Sequence, residues 1–156
     1  MAEDAELREL MRRFPSGVAV VTIDLEGEQL GLTVGSLVSL SLAPPLVGVS
    51  VAKDAALHEL LRRAGGFSVS LLAVGQEHVA QHFARGVPPF AHWQGVPRRD
   101  GEGPPLIEGA LGWLHCRVSA EHDAGDHTFF VGEVMATELG PPNPPLLYLD
   151  GRYHDA

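Results

Sequence analysis

Only one lysine, Lys53, stands among 156 residues; the remaining ten basic residues are arginines. Those 11 cations face 20 acidic residues, leaving a formal net charge of −9. No Lys/Arg cluster exceeds a pair, which argues against a nucleic-acid partner, whose phosphates demand a basic patch. An acidic surface also repels anions at long range, so an anionic ligand needs a locally positive pocket. A single cysteine, Cys116, excludes an intrachain disulfide framework and fits a reducing cytoplasm. No apolar run approaches the ~20 residues of a membrane-spanning helix. Met1-Ala2-Glu3-Asp4 is acidic and lacks the basic and apolar regions of a signal peptide. Also missing are G-x-G-x-x-G opening a helix, the P-loop, G-x-S-x-G and H-E-x-x-H, so any nucleotide is held by another arrangement. There is no internal repeat and no dividing linker, and the length suits one domain, residues 1–156.

What is present reads as many strands and few helices. Leu7, Leu10, Met11 and Phe14 form one apolar stripe at helical spacing, which predicts a helix over residues 2–14, ended by Pro15. Val18–Ile23 reads as a buried strand, Glu26-Gly27-Glu28 as a turn, and Leu30–Val34 as the returning strand. Gly35–Ser41 is small and hydroxyl-rich and reads as a loop. Leu46–Val51 is apolar, β-branched and too short for a buried helix, so it reads as a strand. Lys53 lies at its exit. Asp54 stands where a helix N-cap belongs, ahead of Ala55, Ala56, Leu57, Leu60 and Leu61, and Gly65-Gly66 ends that helix. Phe67–Leu72 alternates like a strand, and Gln76–Ala84 is a short helix. Residues 86–105 hold five prolines and four glycines among few apolar positions and read as a long loop. Leu111–Glu121 and Thr128–Glu138 are long strands joined at Ala124-Gly125-Asp126-His127, and Leu146–Leu149 is the last strand. About seven strands with short connections and three short helices favour an antiparallel barrel over a doubly wound sheet.

Several residues have chemistry worth weighing. A lone ammonium at a strand exit beside a helix N-terminus suits a phosphate or an electron-rich ring. It equally suits a surface lysine. Small residues from Thr33 to Ser41 let a ligand approach the backbone, with N–H and O–H donors to meet it. His78 and His82 share a helix face but have no evident third metal ligand, so they read as surface histidines. Cys116 and His115 alternate onto opposite faces of a strand, which leaves Cys116 a buried structural residue. His127 sits at a hairpin tip, where it is either exposed or projected over a pocket.

The order of the pieces resembles the flavin reductase-like family, whose fold is the FMN-binding split barrel. The resemblance runs from Met11 to Tyr153. It includes Phe14-Pro15-Ser16-Gly17, Gly31–Ser41, Ser50-Val51-Ala52-Lys53, Gln81–Arg85, Gly125-Asp126-His127 before Phe130–Val134, and Gly151-Arg152-Tyr153. It implies a mainly β, antiparallel Greek-key split barrel with short helices, forming a cytoplasmic homodimer that binds FMN or FAD. It implies that Thr33, Val34, Gly35 and Ser36 border the isoalloxazine. Ser50, Val51 and Lys53 would contact the ring edge, ribityl chain or phosphate, and Phe83, Ala84 and Arg85 the phosphate end. His127 and Tyr153 would lie by the flavin and the nicotinamide, His127 as the residue serving catalysis. Gly35 stands where the family often has alanine, serine or asparagine, which removes a side-chain contact.

The activity so implied is hydride transfer from NADH or NADPH to flavin, which supplies reduced flavin to a separate monooxygenase. That chemistry needs two rings held at reacting distance and no acid–base pair or metal. The alternatives are a flavin-binding electron carrier or sensor without nicotinamide turnover, and a barrel with a vestigial pocket. Mixing protein with NADH and FMN distinguishes the three.

Overall fold

The computed structural model describes residues 1–85, 87, 91–99 and 101–156. In chain order the elements are helix α1 (Asp4–Met11), strands β1 (Ser16–Gly17), β2 (Ala19–Leu25), β3 (Glu28–Val34), β4 (Val38–Leu42) and β5 (Pro45–Ala52), then helix α2 (Ala56–Ala64). They continue with β6 (Gly66–Leu71), α3 (Glu77–Ala84), β7 (Arg98–Arg99), β8 (Leu106–Ile107), β9 (Gly112–Ala124), β10 (His127–Leu139), β11 (Leu146–Leu149) and β12 (Arg152–Asp155). Seven strands form one antiparallel sheet in the order β3-β2-β6-β9-β10-β5-β4, and β1-β11-β12 form a smaller sheet. Among the described residues, no helix is long and apolar enough to cross a membrane.

Strand β2 explains much of the packing. Its side chains alternate, as any strand's do. Ala19, Val21 and Ile23 enter one core with Val34 of β3, Val47, Val49 and Val51 of β5, Leu57 and Leu61 of α2, Phe67, Val69, Cys116 and Phe130. Residues from both flanks of the large sheet thus share one interior, so the sheet curls around it. Val18, just ahead of β2, and Val20 face the other way, into a second core with Leu72, Val79, Ala80, Phe83, Ile107 and Leu146. Thr22 follows on that second face, where its hydroxyl donates to the Pro105 carbonyl at 2.6 Å.

Several boundaries differ from expectation. Helix α1 stops at Met11 with Arg12 as its cap, so Phe14 lies beyond it; the helix buries none of its residues, and Leu7, Leu10, Met11 and Phe14 are all exposed. The cap of α2 is Ala55, without a side-chain hydrogen bond, so Asp54 sits one residue too early. At its other end Gly65 takes φ 69°, the left-handed conformation expected there. The hydroxyl-rich stretch contains edge strand β4, paired with β5; its serines hide the alternation of Val38, Leu40 and Leu42.

The proline-rich stretch, whose residues 86, 88–90 and 100 lie outside the described residues, is not simply a loop. It carries β7, which pairs with β8 just beyond the stretch, and a buried His92. His82 is likewise no surface histidine: it is half-buried, and its Nε2 lies 2.5 Å from the His92 carbonyl oxygen. Only His78 is exposed as expected.

The His92 ring fastens this stretch to the sheet. Its Nε2 accepts the Gly31 N–H at 2.9 Å, which requires an unprotonated nitrogen. Burial, with the neighbouring His82, holds its pKa below the ordinary 6.5. Below about that value the unfolded chain takes up a proton that the folded ring resists. This part of the stability is therefore present above pH 6.5 and lost as pH falls through the depressed folded value. Urea unfolding at pH 7.5 and 5.0 should show a drop in midpoint that is smaller for His92→Gln; an equal drop in both would show that His92 does not titrate on unfolding.

Candidate functional site

Five of the residues singled out above meet at one cleft of about 200 Å³. Thr33 and Val34 end β3, Gly35 follows, Ala84 ends α3, and Tyr153 comes from β12; Val18 and Tyr148 complete the lining. The Thr33 hydroxyl donates to the Ala80 carbonyl at 2.7 Å and so ties β3 to α3. A Cβ at Gly35 would lie 2.7 Å from the Ser16 hydroxyl oxygen, so glycine lets this segment lie against β1. Tyr148 and Tyr153 are cross-strand partners with ring centroids 5.1 Å apart. Burial, then Tyr148, raises the Tyr153 pKa, so its phenol remains a neutral donor.

Ser36 couples this cleft to β5. Its hydroxyl donates to the Ser50 carbonyl and accepts the Ser50 N–H, both at 3.0 Å. The adjoining Val51 faces the main core and presents no side chain to a ligand. Phe83 is also buried, in the second core; its ring would meet a Cβ on Gly31 at 3.0 Å. Any contact it makes with a ligand is therefore through its backbone. Arg85 is exposed just past α3, beside Ala84.

Lys53 and His127 form a separate group at the β9–β10 tip. His127 pairs in register with Ala52, and the Lys53 N–H donates to the Asp126 carbonyl at 2.9 Å. The Lys53 ammonium engages the Asp123 carboxylate. It lines a different hollow, with His58, Glu59, Arg62 and Glu121, and not the cleft of Thr33 and Tyr153. His127 is partly exposed, its Nδ1 2.7 Å from Asp126 Oδ1. That bond, then the imidazole's charge, lowers the Asp126 carboxyl pKa.

Tyr148 and Val18 escaped the sequence reading as cleft residues. The signal for Tyr148 was Asp150-Gly151: both have positive φ, 54° and 71°, as a two-residue Asp-Gly hairpin requires. Recognising that hairpin would have given β12 and faced Tyr148 with Tyr153. The remaining chemistry is narrow. Cys116 is buried, and burial pushes its thiol up to about 11, too high for a thiolate nucleophile near neutrality. Among the described residues no group of three or more His, Cys, Asp or Glu is arranged to hold a metal ion.

A curled antiparallel sheet carries a cleft lined by residues 33–35 and by two paired tyrosines. Residues 11–156 match the flavin reductase like domain. The chain belongs to that family and is an oxidoreductase of its kind. It is 43% identical over 146 residues to the reductase component of 4-hydroxyphenylacetate 3-monooxygenase of Thermus thermophilus, covering 94% of this chain and 92% of that one. It is 41% identical to an NADH-dependent FAD reductase of Streptomyces globisporus, covering 95% of this chain and 83% of the relative. The structure of the NADH:FAD oxidoreductase SgcE6 of Streptomyces globisporus, in complex with NAD and FAD fragments, superposes with a TM-score of 0.91 at 39% identity, over 97% of this chain and 92% of that one.

The Ser36–Ser50 pair can be tested by itself. Ser36→Ala leaves a backbone N–H and a carbonyl of Ser50 without their hydroxyl partner, which should cost about 1–3 kcal/mol. A thermal or urea midpoint equal to wild type would show that water replaces the hydroxyl and that the coupling is weak.

Proposed function

We propose that this chain passes a hydride from NADH to FMN or FAD and releases the reduced flavin to a separate monooxygenase. The observation that carries the reading is the cleft itself: residues 33–35 against paired tyrosines. The names of the relatives, a monooxygenase reductase component and NADH-dependent flavin reductases, support the same reading and favour NADH over NADPH.

A flavin, when bound, supplies a ring nitrogen that accepts hydride. The protein's own work is placement. In this reading Thr33, Val34, Gly35 and Ser36 border the ring, and Ser50, held by Ser36, presents its backbone to the ring edge. Val51 and Phe83 support those segments from the cores. Ala84 and Arg85 lie toward the phosphate end. Tyr153 offers a neutral phenol. At the hairpin tip His127, with Nδ1 engaged by Asp126, has Nε2 left to meet the nicotinamide, and Lys53 lies beside it. Orientation of this kind is worth several kcal/mol, and a misplacement of ~1 Å costs on the order of a hundredfold in rate.

The cleft of about 200 Å³ falls below the roughly 300–1,000 Å³ of a complete small-molecule site. It holds a ring and not a nucleotide, so a second copy of the chain completing the site is part of the proposal. Edge strand β4 supports such a homodimer: Val38, Leu40 and Leu42 are exposed, Leu42 at 91%. One domain over residues 1–156, closed as a Greek-key split barrel and working in the cytoplasm, completes the reading.

Purified protein mixed with NADH and excess FMN or FAD should bleach the nicotinamide absorbance rapidly. A yellow protein without turnover would make it a flavin carrier instead. For His127→Ala the rate of hydride transfer in stopped flow should fall about a hundredfold while flavin affinity changes little. Normal transfer with weak flavin binding would invert the assigned role. Light scattering at micromolar concentration should give the mass of two chains; the mass of one would remove the dimer.

A further inference from the structure

Tyr148 lines two cavities. One is the ring cleft; the other is a larger hollow of about 470 Å³, where Arg8, Arg12 and Phe14 face Tyr148, Asp150 and Gly151. The hollow is built by specific contacts. The Asp150 N–H donates to the Arg12 carbonyl at 2.8 Å, which pins the end of α1 to the β11–β12 turn. Gly151 has φ 71°, the left-handed conformation that favours glycine, and the Arg12 guanidinium lies over it, Nη2 2.6 Å from where a Cβ would stand. Arg8 is one helical turn back on the same face.

The charge here opposes that of the whole chain. The titratable groups lining the hollow are Arg8 and Arg12 of α1, Tyr148 of β11 and Asp150 of the turn, with Arg152 of β12 beside Asp150 but outside the lining. The single carboxylate stands 4.0 Å from Arg12 Nε and 4.0 Å from Arg152 Nη2. Neither contact is a hydrogen bond, so the guanidinium donors remain available. Arg8 also helps to lower the Asp126 carboxyl pKa, which sets its charge on the side of the His127 hairpin. In a chain of net charge −9, this hollow meets the need for a locally positive pocket.

Guanidinium groups match phosphate oxygens bidentately, and the Phe14 and Tyr148 rings offer faces to a base. The ring cleft is too small for a nucleotide, and the hollow adjoining it has the missing space. We propose that Arg8 and Arg12 bind the phosphate tail of a nucleotide whose ring lies in the cleft beyond Tyr148. This inference rests on the proposed function for the identity of that nucleotide. The tail is either the diphosphate of the nicotinamide dinucleotide or the phosphate of the flavin, the second of which would replace Arg85 in the role proposed for it above, and binding measurements separate the two.

The probes are ADP-ribose, FMN, riboflavin and inorganic pyrophosphate, titrated into the full chain by calorimetry or fluorescence without turnover. In the double variant Arg8→Gln, Arg12→Gln, affinity for ADP-ribose or for FMN should fall about tenfold or more, and riboflavin affinity should stay within twofold. Loss confined to ADP-ribose assigns the hollow to the nicotinamide dinucleotide; loss confined to FMN assigns it to the flavin. Affinities for both within twofold of wild type would overturn the proposal. Helix α1 buries no residue, so the double variant should keep its fold, which circular dichroism checks. If the variant does not fold, wild-type protein still decides: pyrophosphate should compete with ADP-ribose or FMN and not with riboflavin, and failure to compete overturns the site. Arginine-dependent binding in a protein that does not oxidise NADH would keep the hollow and remove the function. Turnover with a double variant unchanged in binding would do the reverse.

Discussion

The burial of β2 on both faces is the constraint on which the rest of this structure depends. A strand with one wet face needs only one core. Here Ala19, Val21 and Ile23 close the main interior, while Val20 and the preceding Val18 close a second one beneath α3. Helix α3 can sit on the sheet only because that second face is apolar. The cleft then follows, since Val18, the end of β3 and Ala84 at the end of α3 are all positioned by this double packing. A polar residue at position 20 would strike the second core, and through it the segments that hold the site.

The site's electrostatics agree with a reaction that needs placement more than proton transfer. The cleft holds a neutral phenol and hydroxyls already engaged with backbone, and the thiol nearest to notice is buried and held protonated. Charge is kept to the margins, at the hairpin tip and at the end of α1. A ring that gains negative charge on reduction is stabilised by fixed dipoles and donors aimed at it, and these need no reorganisation during the reaction.

What the sequence revealed and what it hid follow from the range of the interactions. Short apolar runs were enough for β2, β3 and β5 and alternation for β6, and the two-residue Gly125-Asp126 connection was legible from its glycine. The ordered motifs named the family, which needs no knowledge of contacts. Strand β4 was missed because its serines look like loop, and β12 because Asp150-Gly151 was read as an ending and not as a hairpin. His92 and Trp93 were missed for a different reason. Their partners, the Gly31 N–H and the Gln29 carbonyl, lie more than sixty residues away, and no local pattern announces them. Likewise Asp123, seventy residues from Lys53, was invisible beside it.

That last pairing changes where an anion is expected to rest. At the hairpin tip the Lys53 ammonium already faces the Asp123 carboxylate, and the His127 imidazole faces Asp126. Exposed pairs of this kind contribute only about 0–1 kcal/mol, so breaking one costs little. The carboxylate left behind is the larger obstacle, because it repels any phosphate brought to the same spot. The tip is therefore better suited to an uncharged ring edge, a carboxamide or a flavin carbonyl, than to a phosphate. At the end of α1 the balance is reversed: one carboxylate stands near two guanidiniums at 4.0 Å each, with Arg8 beyond. The lone lysine that drew notice in the sequence is thus already paired with a carboxylate, while the arginines that did not keep guanidinium donors free beside the helix.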